Sequence, residues 1–273
     1  QNSGVRIPAL LDADLAHGYL LLEDLGDTLL LPRLAPGVVD QYYRRAFDIL
    51  LLLAQADCSQ AALPDYDATL LQEELGRFPH WFVGELLGHS LSQTELALLR
   101  SLFDALVGSA LEQPRVLVHR DFHSRNLMLP ADGRLAVIDF QDAVRGPVTY
   151  DLVSLLRDCY VSWPAPRVRD WALHYRELLL RAAALDVADA DTFLRWFDLM
   201  GLQRHIKVLG TFARLYLRDD KPGYLADLPL VLRYTLEILA KYAAEQPQCA
   251  EALRWFDTEL MPRARQQTWG AQL

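Results

Sequence analysis

The chain has 273 residues, of which 52% are hydrophobic, so it can bury the core of one substantial globular domain. Its formal net charge is −9, and an acidic chain of this kind is poorly matched to the phosphates of nucleic acid. We therefore expect a globular protein without a nucleic-acid partner.

The cysteines and the hydropathy of the sequence indicate the cellular compartment of the protein. Cys58, Cys159 and Cys249 are far apart and form no CxxC pair, which argues against a disulfide framework or a cysteine zinc site. The apolar run at residues 49–54 is much shorter than a membrane span. We predict a cytoplasmic protein with no membrane association.

The first segment is predicted to contain a strand. Residues 17–26, HGYLLLEDLG, are typical of a strand that ends in a turn. A lone strand leaves its edges unpaired, so we expect its neighbours to lie upstream in a longer protein.

From residue 38 the apolar residues recur at three- and four-residue spacing, which predicts helices. The spacing of Ser92 and Glu95 is typical of a capping box. The predicted helices cover residues 38–57, 65–78, 92–111, 150–160, 168–185, 190–217, 230–244 and 250–260. The predicted fold class is therefore α+β, a mostly helical body with one β-hairpin set into it.

That hairpin lies in VLVHRDFHSRNLMLPADGRLAVIDFQD, residues 116–142. Short apolar strands are predicted at 116–118, 126–129 and 135–138, with a turn at 131–133. Polar side chains follow the strands: Asp121 and Asn126 have the H-R-D-x-x-x-x-N spacing of a kinase catalytic loop, and Asp139 ends the last strand.

Phosphoryl transfer explains this combination of residues. It needs a carboxylate that orients the acceptor hydroxyl and takes its proton, together with oxygen ligands that hold Mg²⁺ against the nucleotide phosphates. We predict that Asp121 is the catalytic carboxylate and that Asn126 and Asp139 are the metal ligands, because Mg²⁺ prefers hard oxygen donors.

The two histidines of the loop allow other interpretations. We expect His119 to brace the loop through hydrogen bonds to the backbone. His123 either contacts phosphate in a catalytic role or holds the loop together. A zinc site built from His119, His123 and an aspartate is a further alternative, but it leaves the Asn126 spacing unexplained.

Together, HRDFHSRN and VIDFQDAVRGPVTYDLVSLL resemble the aminoglycoside phosphotransferase family of small-molecule kinases, in which a D-x-H-x-x-N loop is followed by an I-D-[FW] strand and a G-P-x-x-Y-D-L segment. Asp121, His123, Asn126, Asp139 and residues 146–152 match. The resemblance implies a protein-kinase-like fold, with ATP and Mg²⁺ as cofactors. Asp151, at the start of a helix, is expected to brace the catalytic loop.

Further stretches extend the resemblance to family members that phosphorylate the anomeric hydroxyl of N-acetylmuramate and N-acetylglucosamine: LLLEDLG at 20–26, residues 138–164 and residues 197–229. It implies an ATP-dependent kinase of amino sugars that makes the sugar 1-phosphate in peptidoglycan recycling. The alternatives are a kinase for another small alcohol, such as an aminoglycoside, and a non-catalytic nucleotide-binding regulator.

The resemblance also implies a division into lobes. Residues 1–26 would be the end of the small lobe and the hinge, and residues 27–273 the helical large lobe with the acceptor site. The backbone of Glu23 and Leu25 would contact adenine, although this segment can also be a simple exit from a strand. The sequence contains no G-x-G-x-x-G and no lysine before Lys207, so we expect most of the small lobe to lie outside this chain.

The acceptor site is predicted from charge. Asp142 and Arg145 follow the metal strand, where they either face the acceptor or form a local salt bridge. On helix 190–217, the residues Arg204, Lys207, Thr211, Arg214 and Arg218 share a face. This basic face either meets solvent or receives an anionic group of the substrate, such as the lactyl carboxylate of N-acetylmuramate. The oligomeric state is not predicted.

Overall fold

The structure is a computed structural model that describes residues 4–59, 62–183, 186 and 188–273. Its strands are short and antiparallel: β1 Leu10–Asp14, β2 Tyr19–Leu22, β3 Arg115–Val118, β4 Leu127–Met128, β5 Ala136–Val137 and β6 Val144–Pro147. They form three two-stranded sheets, which pair β1 with β2, β3 with β6, and β4 with β5.

Helices make up most of the described chain. They are α1 Val39–Ala54, α2 Ala68–Leu75, α3 Gln93–Leu111, α4 Tyr150–Leu156, α5 Ala165–Arg181, α6 Ala190–Leu217, α7 Leu228–Tyr242, α8 Pro247–Trp255 and α9 Met261–Arg265. Two π-helical segments, Phe78–Leu86 and Phe256–Leu260, join neighbouring helices. Among the described residues, no helix combines the length and hydropathy that a membrane crossing requires.

The strand near the start of the chain has a partner. β2 pairs with β1, with Leu10 opposite Leu22 and Asp14 opposite Tyr19. The expectation that this strand would lack a partner is therefore wrong. The sequence LLDAD did not suggest a strand because Asp and Ala are depleted in strands. All nine residues of the two strands are exposed.

Most predicted helices are present with shifted ends. Helix α6 has the predicted bounds, and the capping box is confirmed, because the Ser92 backbone amide donates to Glu95 Oε2 at 2.7 Å and the Glu95 amide to Ser92 Oγ at 3.3 Å. The π-helical segment after α2 was not predicted, because it contains Pro79 and Gly84, which usually break helices. The predicted end at Leu185 lies outside the described residues.

The strand pairing differs from the predicted single hairpin in one respect. β4 and β5 form that hairpin, with Leu127 opposite Val137. β3 instead pairs with β6, a strand that was missed because its VRGP sequence contains two residues that are rare in strands.

The chain divides into two compact units: unit 1 comprises Gln1–Asp65 and Pro114–Ala188, and unit 2 comprises Tyr66–Gln113 and Asp189–Leu273. All six strands belong to unit 1. The predicted large lobe is thus shared between the units, and the predicted boundary at residue 26 stays a prediction.

The core of unit 1 supports the helix that follows β6. Tyr43 on α1 packs against Trp171 on α5 with ring centroids 4.9 Å apart, and its hydroxyl donates to the carbonyl oxygen of Leu155 at 3.3 Å. Because Leu155 lies in α4, these contacts hold α4 in place from the side of α1 and α5.

Unit 2 has an aromatic core crossed by α6. The ring of Phe78 stacks on Phe82 at 5.5 Å and on Phe256 at 5.7 Å. Gly210 on α6 faces the backbone at Arg77 so closely that an added Cβ would lie 2.4 Å from the Arg77 carbonyl carbon. Glycine at this position lets α6 approach the π-helical segment.

Candidate active site

The predicted catalytic residues lie where the strands of unit 1 end. β3 ends at Val118, β4 begins at Leu127, and the loop between them carries Asp121 and Asn126. Asp139 comes two residues after β5, with a positive φ of 67° that turns the chain away from the strand. Because β4 and β5 are antiparallel, the start of β4 and the end of β5 lie at the same end of the hairpin.

Asn126 connects the three predicted residues. Its Nδ2 donates to the backbone oxygen of Asp121 at 3.0 Å and to Oδ2 of Asp139 at 3.3 Å. The Ile138 amide donates to the Asn126 carbonyl oxygen at 3.1 Å, which ties the loop to the strand edge. The structure therefore brings the side chains of Asn126 and Asp139 together with the backbone of Asp121.

His119 braces the loop, as predicted. Its Nε2 lies 3.0 Å from the carbonyl oxygen of Ile138, and its Nδ1 accepts a hydrogen bond from the Asp121 amide at 3.3 Å. This pair of contacts assigns the ring proton to Nε2. With both ring nitrogens in use, His119 has none to offer to the alternative zinc site.

Asp151, at the start of α4, holds the beginning of the loop. Its buried carboxylate accepts the backbone amides of His119 at 2.6 Å and of Arg120 at 3.0 Å. Arg120 has a φ of 76°, a conformation that costs energy for a residue with a Cβ and that these hydrogen bonds help to maintain. Burial raises the pKa of the Asp151 carboxyl to about 6.

A second buried carboxylate, which was not predicted, holds the middle of the loop. The amide and the hydroxyl of Ser124 both donate to Oδ2 of Asp158, at 3.0 and 2.5 Å, and the Tyr160 amide donates to Oδ1 at 3.1 Å. Ser124 and Asp158 are at most 1% exposed. Their separation of 34 residues leaves no local pattern from which this contact could be predicted.

His123 packs beside the segment that holds Asp158. Its ring meets Tyr160 edge-on with centroids 5.4 Å apart, and the guanidinium of Arg125 lies 3.5 Å from the centroid of the same Tyr160 ring. These contacts favour the loop-holding interpretation of His123, and its catalytic role stays a prediction.

The predicted hinge follows β2. Arg6 forms a two-pronged ion pair with Glu23, at 2.6 and 2.5 Å, which lowers the pKa of the Glu23 carboxyl to about 2. Leu25 is buried in a small apolar cluster with Met128 and Ala136 of the β4–β5 hairpin. The hinge segment therefore rests on the same hairpin that carries Asn126.

The predicted acceptor residues of unit 1 follow Asp139. The backbone oxygen of Asp142 accepts from Arg120 Nη1 at 3.3 Å. Arg145, on β6, donates to both carboxylate oxygens of Asp65 at 2.8 and 3.3 Å, and this contact lowers the pKa of Asp65. Arg145 thus forms the local salt bridge that the sequence left as an alternative, and contact with an acceptor stays a prediction.

The other two predicted acceptor residues lie on α6 in unit 2. Lys207 pairs with the fully buried Glu74 at 3.0 Å, and Glu74 also accepts a hydrogen bond from the hydroxyl of Tyr66. Arg204 is only 3% exposed. The interpretation that the basic face meets solvent is therefore wrong for Arg204 and Lys207. Contact of these two residues with an acceptor stays a prediction.

The donor set at the strand edge fits Mg²⁺ better than zinc. Within the described ranges, no group of three or more His, Cys, Asp or Glu side chains could hold a metal ion. One carboxylate and one amide oxygen, from Asp139 and Asn126, suit an ion that completes its shell with water and phosphate oxygens. Gln141 Nε2 now donates to Asp139 Oδ1 at 2.7 Å and would have to rotate away from a bound ion.

Comparison with known proteins is consistent with this geometry. Residues 1–186 match the model of a family described as "Phosphotransferase enzyme family". The chain is 45% identical over 250 residues to the N-acetylmuramate/N-acetylglucosamine kinase of Pseudomonas aeruginosa, with 92% of this chain and 72% of the relative covered. It is 42% identical to the protein of the same name from Neisseria meningitidis serogroup B, with 89% and 73% covered.

A solved structure shares the fold. The GDP complex of aminoglycoside 2'-phosphotransferase-IIIa superposes with a TM-score of 0.58 at 17% sequence identity, covering 85% of this chain and 76% of that one. At this identity the likeness concerns the fold alone, which is the protein-kinase-like fold expected from the sequence.

Proposed function

Because the chain belongs to the phosphotransferase enzyme family, we propose that it is an ATP-dependent kinase that phosphorylates the anomeric hydroxyl of N-acetylmuramate and N-acetylglucosamine. The product would be the sugar 1-phosphate, formed in peptidoglycan recycling. The names of the two relatives at 45% and 42% identity support these acceptors. The setting would be the cytoplasm, in keeping with the reduced cysteines expected from their spacing.

In this proposal Asp121 orients the anomeric hydroxyl and accepts its proton. The hydroxyl oxygen forms a bond to the γ-phosphorus, the bond from that phosphorus to the bridging oxygen breaks, and ADP leaves with the electron pair. Three neighbours fix the backbone of Asp121, since its amide donates to His119 and its carbonyl oxygen accepts from His123 and Asn126. This arrangement supplies the positioning on which phosphoryl transfer mainly depends.

Asn126 and Asp139 would hold Mg²⁺. The ion would neutralise charge on the phosphates. The backbone of Glu23 and Leu25 would contact adenine, and the apolar cluster around Leu25 would give the base an apolar surface. Asp142 and Arg145 would lie beside the acceptor, and Arg204 and Lys207 are proposed contacts of its polar groups.

The observation that carries the proposal is the double contact of Asn126, which joins Asp121 to Asp139. The test is a kinase assay of the protein across N-acetylmuramate, N-acetylglucosamine, galactose-type sugars and aminoglycosides. We expect turnover with the two amino sugars, and at least about a hundredfold loss of kcat in Asp121→Asn with nucleotide affinity unchanged.

Asp48→Asn is the matched control, because Asp48 is an exposed aspartate on α1 of the same unit. Near-normal kcat in Asp121→Asn would remove Asp121 from the base role. If the protein phosphorylates aminoglycosides in preference to the sugars, the proposed acceptors are wrong and the proposed phosphoryl transfer stands.

A further inference from the structure

Near the C-terminal half of α6, part of the positive charge has no acidic partner among the described residues. Lys207 is paired with Glu74, and Arg218 is paired with Asp219 at 2.7 Å. Arg77 and Arg214 form no ion pair within the described part of the chain, although the whole chain carries a net charge of −9. Other described arginines without an ion pair, such as Arg44 and Arg100, are exposed, whereas Arg77 and Arg214 are partly buried. Burial makes a charge without a partner costly.

The two arginines are neighbours because of Gly210. The backbone of Arg77 meets α6 at Gly210, and Arg214 follows one helical turn later on the same side. Burial lowers the pKa of Arg214, and the charges of Arg77 and Arg218 lower it further. The positive charges of Arg77, Arg214 and Arg218 therefore lie close enough to repel one another, and Asp219 offsets part of the charge around Arg214.

Hydrogen-bond donors at the same place lack acceptors. Arg214 Nε and Thr211 Oγ1 are buried atoms, and neither has a hydrogen-bond partner among the residues that the structure describes. Thr211 lies three residues before Arg214, so both side chains project from adjacent turns of one helix face. A buried donor without an acceptor is costly, so two such donors on one helix face favour the binding of an acceptor group there.

We propose that Arg77, Thr211 and Arg214 form an anion-binding site in unit 2 that takes a carboxylate or phosphate group. An arginine fork and a hydroxyl are donors that such groups accept in charge-assisted hydrogen bonds. A bound anion would relieve the repulsion between the arginines and satisfy the two buried donors. The source is either the lactyl carboxylate that distinguishes N-acetylmuramate from N-acetylglucosamine, which rests on the proposed function, or a free anion.

The first experiment uses inorganic phosphate as the probe and needs no catalysis. Thermal unfolding midpoints are measured across a phosphate series, with ionic strength held constant by sodium chloride. We expect the midpoint of the wild-type protein to rise with phosphate by linkage, and the rise to disappear in Arg214→Gln. Arg195→Gln is the control, because it removes the same charge from the other end of α6 and should keep the rise.

Thr211→Val is a second variant that keeps shape and charge, so it guards against misfolding of Arg214→Gln. We expect it to reduce the response to phosphate. If Arg214→Gln and Thr211→Val respond to phosphate as strongly as the wild type does, phosphate binds elsewhere and the site is refuted.

The second experiment identifies the source of the anion. The ratio of kcat/KM for N-acetylmuramate to that for N-acetylglucosamine is compared between wild type and Arg214→Gln. A fall of about tenfold or more, the scale of one charge-assisted hydrogen bond, identifies the acceptor carboxylate. An unchanged ratio with a lost phosphate response identifies a site for a free anion.

An unchanged ratio together with no phosphate response in the wild type refutes the anion site. That result leaves the kinase proposal intact, because activity on both sugars and its loss in Asp121→Asn are measured separately.

Discussion

Ser124 donates its amide and its hydroxyl to the same carboxylate oxygen of Asp158, and both residues are buried. This contact holds the loop midway between Asp121 and Asn126. Removing the hydroxyl in Ser124→Ala should lower the free energy of unfolding by about 1–3 kcal/mol, because a buried charged acceptor loses a donor. Urea unfolding measures this loss.

The same variant tests whether the contact positions Asp121. We expect kcat to fall about tenfold with little change in KM for the sugar, because a displaced loop misplaces the catalytic carboxylate. A double-mutant cycle with Asp158→Asn should give a coupling energy of about 1–3 kcal/mol. A loss of stability with unchanged kcat would mean that the pair supports only the fold.

The pH dependence of stability should show the titration of Asp151. Its pKa is raised from an ordinary value near 3.8 to about 6 by burial, so the folded state binds the proton more tightly than the unfolded state. Its contribution is fully present below about pH 4 and is lost as the pH rises through about 6. A shift of this size corresponds to about 3 kcal/mol.

The measurement compares wild type with Asp151→Asn, which does not titrate. The difference in unfolding free energy, wild type minus variant, should decrease between pH 4 and pH 7.5. A difference independent of pH over this range would show that the carboxyl keeps an ordinary pKa.

Lys207 should contribute strongly to the stability of unit 2, because its positive charge compensates the buried carboxylate of Glu74. Lys207→Met leaves that charge without its cation and should cost about 3–5 kcal/mol in urea unfolding. Adding Glu74→Gln should recover most of the loss, since a neutral amide can still accept from Tyr66. No recovery in the double variant would show that the cost comes from packing of Lys207.

Gly210 and Gly108 give a matched pair of helix positions. Gly210→Ala would push a Cβ to 2.5 Å from the Phe78 nitrogen, so it should destabilise by about 1–3 kcal/mol or more. Gly108→Ala on α3 meets no atom within 4 Å and should stabilise by about 0.5–1 kcal/mol. The thermal unfolding midpoints of the two variants should shift in opposite directions. Shifts in the same direction would contradict the close approach of α6 to the π-helical segment.

The parts of the molecule that the sequence predicted are those with local signals. Asp121, Asn126 and Asp139 lie within one short stretch, and their spacing indicated their convergence. The amphipathic period predicted α6 to the residue. The loop support from Asp151 followed from its place at the start of a helix.

The parts that the sequence did not predict depend on distant partners. Asp158 looks like an ordinary polar residue after α4, and only the fold places it under Ser124. Most glutamates are exposed, and the sequence around Glu74 carries no sign that Lys207 and Tyr66 allow its burial. β1 and β6 have sequences with low strand propensity, so their pairing is set by their neighbours.

Unit 2 is assembled from two separated stretches, and this affects the order of events during synthesis on the ribosome. The segment Tyr66–Gln113 emerges first, and it waits for Asp189–Leu273 while residues 114–188 are made. At about 5–20 residues per second the delay is roughly 4–15 s. During this interval Phe78 lacks the ring of Phe256 and Phe82 lacks the ring of Trp269, so the nascent chain exposes aromatic side chains to which a chaperone can bind.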